Sequence, residues 1–244
     1  MNDNLIWLAA IVLISYTTQA MSGFGSTILA LTLGMHFYPM AELLPVLVAL
    51  DLIVNLYIVV RHRHHIHREL LVQKIMPAMA IGIAAGILVF QFFHGAMLEK
   101  IFGMLVIFLS IRELYRLSSR TQEHVPFSNF QSALYITAAG FIHGIYASGG
   151  PLLIYAVGKQ NIAKAIFRST LAAVWLILAL VLTGFYLFSG TLTAASLKLV
   201  VVLLPVIVVG IFLGEWLHQR IDEFRFKIFV FSVLLIAGFS IIAA

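Results

Sequence analysis

Two short stretches carry most of the residues that can do chemistry. The first, "QAMSGFGSTILA" at 19–30, holds Gln19, Ser22, Gly23, Phe24, Gly25, Ser26 and Thr27. The second, "HGIYASGGPLLI" at 143–154, holds His143, Tyr146, Ser148, Gly149, Gly150 and Pro151. Glycines at 23, 25, 149 and 150 permit a sharp turn, and Pro151 suits the first turn of a helix leaving it. A helix interrupted there presents a fresh N-terminus with unpaired N–H groups and a positive dipole end. Such a terminus suits an oxyanion, and the Ser26, Thr27 and Ser148 hydroxyls add donors. The commoner meaning of Gly, Ser and Thr in membrane helices is close packing. Two matched patches, rather than one, favour a site.

Further polar residues lie near them. Asp51 sits inside the apolar run "AELLPVLVALDLIVNLYIVV", where a charge costs at least ~2.5–3.5 kcal/mol on insertion scales. It is expected to face the protein interior with Asn55, one turn on along the same face. The pair reads as a proton or sodium relay, or as a buried structural hydrogen bond. The corresponding position in the second half falls near Trp175, so any relay is asymmetric. Arg168 in "AIFRSTLA" either attracts an anion at the inner mouth or anchors the chain at the headgroups. The run "RHRHHIHREL" at 61–70 reads as a basic segment against lipid headgroups rather than a metal site. There is no Cys, which removes thiolate ligands and nucleophiles. No nucleotide-binding or hydrolase motif is present, so neither enzyme activity nor a cofactor is expected.

The elements that must position these residues are membrane helices. The 244 residues have a mean hydropathy of +1.05, with 62% hydrophobic and 10% charged residues, too little polar surface to coat a soluble globule. Apolar segments fall at 5–38, 41–60, 71–93 and 97–117. After the polar linker 118–129 come 130–158, 165–188, 191–217 and 224–243. No removable signal peptide is expected. Each half (1–117 and 130–244) opens on an interrupted segment and continues with three uninterrupted ones. "PAMAIGIAAG" at 77–86 and "PVIVVGIFLG" at 205–214 repeat P-x4-G-x3-G at corresponding places, which supports a duplication.

Charge then orients the chain. With each interrupted segment as a single crossing, the fifteen Lys and Arg divide eight against seven, which gives no preference. With each as a hairpin that leaves by the face it entered, only Lys100 and Lys198 lie opposite the other thirteen. A straight helix over 5–38 would also reach about 51 Å at ~1.5 Å per residue, far beyond a core ~30 Å thick. The expected fold is therefore all-α and polytopic, with two inverted repeats, each a broken helix or hairpin followed by three transmembrane helices. The net charge of +5 then reports topology rather than nucleic-acid binding.

"SGFGSTILAL" and "GIYASGGPLLIYAV", each opening one half, resemble the sulfite exporter TauE/SafE family over essentially the whole chain. The resemblance implies a transporter of sulfite, sulfonates or related organic sulfur anions. The glycine signature here departs from the family's stronger one, with Phe24 and Ser26 interrupting the first copy and Ala147 and Ser148 the second. The expected function is a secondary transporter, an exporter, of a small anion held between two half-helix N-termini. Its partners are that anion, a coupling proton or sodium ion and the lipid bilayer, in a bacterial inner membrane with both termini outside. Homo-oligomerisation stays open. A transition-metal cation transporter, or a non-transporting scaffold or enzyme, is the alternative.

The charge division makes a direct prediction, and the absence of Cys removes any background. Single cysteines at Asn2 and Ala244 react with an impermeant thiol reagent from outside sealed cells, and one at Gln122 does not. Labelling of all three from one side contradicts the hairpin topology.

Overall fold

The computed structural model describes residues 3–92, 96–118, 127–158, 162–218, 220 and 223–243. Most of the linker, residues 119–126, and the chain ends at 1–2 and 244 lie outside the described residues. The described residues form ten α-helices: α1 Asp3–Ser22, α2 Ser26–Gly34, α3 Met40–His62, α4 Met76–Phe92, α5 Ala96–Ser118, α6 Asn129–Tyr146, α7 Gly150–Gly158, α8 Lys164–Phe188, α9 Ala194–His218 and α10 Glu223–Ala243. Five apolar stretches, in α1, α3, α4, α8 and α9, are long enough to cross a bilayer, two of them running past their α-helix. The protein is an all-helical integral membrane protein.

The segments 5–38 and 130–158 are each a long helix, a break and a nine-residue helix. In both, the short helix runs back along the long one. Trp7 near the start of α1 stacks on Phe37 beyond α2, with centroids 6.3 Å apart. Tyr135 near the start of α6 meets Tyr155 of α7 edge-on at 5.4 Å. Directions elsewhere agree with a turned-back segment. Tyr57 near the end of α3 donates to Glu215 near the end of α9 at 3.3 Å, so these helices finish on one side. His67, just past α3, donates its N–H to Thr170 near the start of α8 at 2.9 Å.

The strongest packing crosses between the halves. α4 lies on α6, α9 on α1, α5 on α10 and α3 on α8. Exchanging α1–α5 with α6–α10 maps this set of pairings onto itself. The repeated glycine pairs explain two of them. Gly82 and Gly86 of α4 press on the α6 backbone from Thr137 to Gly144, with Gly140 and Gly144 facing back. A Cβ on Gly140 would lie 2.5 Å from Met79 O, and one on Gly144 2.6 Å from Ile83 O. Gly210 and Gly214 of α9 meet α1 in the same way, and a Cβ on Gly214 would lie 2.5 Å from both Thr17 O and Ala20 Cβ. Each half thus grips the broken helix of the other half through backbone-to-backbone contact that only small residues allow.

The repeated prolines behave differently from one another. Pro205 sits inside α9, while Pro77 lies in the first turn of α4, where a missing N–H is tolerated. A π-helical segment, Leu70–Ile75, leads into α4. The proline in the first half therefore marks a change of helical register rather than a mid-helix kink.

The glycine clasps predict a graded stability series. Gly144→Leu drives α4 and α6 apart and lowers the melting temperature of purified protein, corresponding to about 2 kcal/mol or more. Gly184→Ala, where a Cβ meets nothing within 4 Å, leaves stability unchanged or raises it by up to ~1 kcal/mol. Equal melting temperatures for the two variants contradict this packing account.

Candidate functional site

The two breaks use different backbone devices. In the first, Gly23 and Gly25 are left-handed, with φ of +85° and +98°, and α2 begins at Ser26. In the second, the left-handed residue is Ala147, with φ of +49°. The expectation that Gly149 and Gly150 supply the turn is thus corrected. Gly149 serves close approach instead. A Cβ on Gly149 would overlap Ala139 O and lie 3.0 Å from His143 Cβ. α7 starts at Gly150, so Pro151 is its second residue.

Both tips open on one cavity of about 30 Å³, room for about two water molecules. It is lined from the first half by Gln19, Phe24, Gly25, Ser26, Thr27, Ile28 and Asp51, and from the second by His143, Ala147, Ser148, Gly150, Pro151 and Trp175. Phe24 supplies an apolar wall. Residues 125 positions apart in sequence are thereby brought to one place by the cross-packing of the halves.

At the first tip a closed polar network surrounds Asp51. Asn55 donates through Nδ2 to the Asp51 carbonyl at 2.8 Å, one turn back. That fixes Asn55 Oδ1 to accept from Gln19 Nε2 at 3.0 Å, which turns Gln19 Oε1 toward Ser26. Ser26 Oγ also lies 2.7 Å from Asp51 Oδ1, and Thr27 Oγ1 lies 2.6 Å from Oδ2. Ser26 has one hydrogen and two acceptors to meet. The Ser26 and Thr27 hydroxyls thus meet both oxygens of the Asp51 side chain, with Ser26 shared between Asp51 and Gln19. Tyr16 lies beside Asp51 with its hydroxyl committed to Leu47 O at 2.8 Å.

The second tip is drier. His143 stacks on Trp175 with centroids 5.5 Å apart and planes 23° from parallel. Both rings are buried, and His143 Nδ1 and Trp175 Nε1 have no hydrogen-bond partner. Ser148 spends its hydroxyl hydrogen on Tyr146 O at 2.9 Å.

Several residues singled out from the sequence stand away from the cavity. Tyr146 points to α5, donating to Leu98 O at 3.1 Å and packing on Phe102 at 4.8 Å. Arg168 donates through Nη2 to Ala20 O at 2.5 Å and lies against Gly23. It thereby caps the C-terminal end of α1, where a cation complements the dipole. Asn55 reaches the site only through Gln19 and Asp51, and Gly149 through the fold of the break. Ser22 ends α1, and its side chain lies outside the described residues. In the basic loop, His67 Nδ1 accepts from the Leu70 N–H at 3.2 Å and so starts the next helix. Trp175 is the lining residue that residue-type reasoning passed over. The internal repeat pointed to it, as the counterpart of Asp51.

A model of the family described as sulfite exporter TauE/SafE matches residues 8–241. The chain belongs to the sulfite exporter TauE/SafE family. No curated protein and no solved structure matched it. Membership makes it a membrane protein of a transporter family, and the match spans both breaks and every residue of the cavity.

Proposed function

We propose that this protein is a secondary transporter, an exporter, of a small oxyanion, with sulfite or an organosulfonate as its substrate class. The observation that carries the reading is the meeting of two half-helix N-termini at one cavity, in a member of a sulfite exporter family. Irregular backbone at membrane depth persists only where protein or a watery cavity satisfies it. N-terminal dipole ends in such a cavity favour negative charge. A cavity this small is too narrow for a sulfonate, so substrate entry requires the tips to part.

The halves 1–117 and 130–244 are inverted repeats joined by a cytoplasmic linker at 118–129, and both termini face outward from a bacterial inner membrane. Support comes from the thirteen-to-two charge division and from the exchange symmetry of the helix pairings. Alternating access then consists of rocking one half against the other across the α4–α6 and α1–α9 clasps.

Asp51 is the coupling residue. An ionised carboxylate beside the cavity opposes an anion there, whereas a protonated one does not, so anion and proton strengthen each other's binding. Tyr16 of α1 and His143 of α6 are the other titratable groups described around the carboxylate and cavity.

Proteoliposome flux tests the proposal. Labelled methanesulfonate, whose own charge is constant with pH, is transported, and divalent transition metals are not. Wild-type flux rises at least about five-fold as pH is lowered, while Asp51→Asn, a fixed neutral mimic, transports with little pH dependence. Metal flux without anion flux supports a cation transporter instead. Absence of any flux favours a packing role for the breaks.

A further inference from the structure

The two tips face the cavity with opposite chemistry. At the start of α2 the protein fills the anion position itself, since the Ser26 and Thr27 hydroxyls meet both oxygens of Asp51. An outside anion cannot use those groups without displacing the carboxylate. At the start of α7 no acid lines the cavity, and the residue corresponding to Asp51 is Trp175.

The backbone at the second tip offers few donors of its own. Pro151 has no N–H, and that of Leu153 is bonded to Gly149 O at 3.2 Å. Ser148 has given its hydrogen to Tyr146 O. Trp175, by contrast, is 7% exposed, and its Nε1 has no partner. An indole N–H is a donor only, and buried donors are nearly always matched. Its edge is close to the helix start: Cζ2, on the N–H side of the ring, would lie 3.8 Å from a Cβ on Gly150. The stacked His143 fixes the plane of the ring and leaves its own Nδ1 unpartnered.

We infer that Trp175 is an anion-binding residue, whose indole N–H and the backbone N–H groups at the start of α7 together receive one face of the substrate. The inference rests on the cavity being an anion site and adds which tip holds the anion. It also defines the ligand chemistry. A seat made of neutral donors selects a small oxyanion headgroup whose oxygens accept and do not donate, such as sulfite or a sulfonate. The first tip, with its carboxyl, holds the proton. Substrate and proton thus occupy different halves of the repeat.

The test uses the purified full chain in nanodiscs with methanesulfonate, and with sulfite under anaerobic conditions, as probes. Trp175→Phe keeps an aromatic ring against His143 and removes the indole N–H together with part of the bicycle. Calorimetry on the folded variant gives an affinity at least about ten-fold weaker than wild type, the loss expected for a hydrogen bond to a charged group. Independently of any variant, the indole 15N–1H resonances of the three tryptophans are followed as anion is added to wild type. The Trp175 resonance shifts, and those of Trp7 and Trp216 do not. If wild type binds the anions while the Trp175 resonance stays fixed, or folded Trp175→Phe keeps full affinity, the seat is elsewhere and the transport reading stands. If wild type binds neither anion, the transport reading itself fails and takes this assignment with it.

Discussion

Two helices of this integral membrane protein break inside apolar segments, and lipid offers nothing to the N–H and C=O groups that a helix end leaves unpaired. Everything else in the arrangement follows from that demand. The ends must be sealed by protein, so α1 is gripped by α9 and α6 by α4, through glycine pairs that bring backbone against backbone. The end of α1 receives the Arg168 guanidinium from α8. The start of α2 receives the Asp51 carboxyl from α3. The long arm of each broken helix is gripped by the other half, so neither half supplies all the packing of its own tip.

The same demand explains why a duplicated plan yields an asymmetric site. Both tips need polar closure, and they solve it by different residues at corresponding positions. In the first, Asp51, Gln19 and Asn55 make a network in which each orientation is dictated by its neighbour. In the second, His143 and Trp175 stack and leave polar atoms open. A saturated network beside an unsaturated one is what a carrier of two unlike species requires. In the proposed mechanism one tip holds a proton on a carboxyl, and the other receives acceptor oxygens. Electrostatics links them, because a negative ligand and a neutral Asp51 stabilise each other across a cavity only a few atoms wide.

Much of this was legible in the sequence, because membranes constrain it so tightly. Apolar run lengths located the membrane segments, the Gly- and Ser-rich interruptions located the breaks with the excess length of 5–38 in agreement, and the P-x4-G-x3-G repeat marked the helices that clasp them. The partners of those glycines were not legible, since which helix α4 meets depends on tertiary order. Residue type misassigned some roles. Glycine suggested the turn at 149–150, yet the fold puts Ala147 in the left-handed region, because Gly149 is needed where a Cβ would strike Ala139. Arg168 suggested an anion mouth, yet the nearest unmet need was the carbonyl end of α1. Trp175 entered the sequence reading only as the counterpart of Asp51, because residue type alone does not separate a packed aromatic from one that lines a cavity.

The central claim is that an oxyanion sits where the two tips meet, on the α7 side. Selenite is a heavier analogue of sulfite and can be located by its own anomalous scattering in crystals of the unlabelled protein. The account predicts one selenium peak in the cavity, nearest the start of α7 and the Trp175 indole and separated from Asp51. A peak at the basic loop 61–68 or elsewhere, with the cavity empty at saturating selenite, would contradict it.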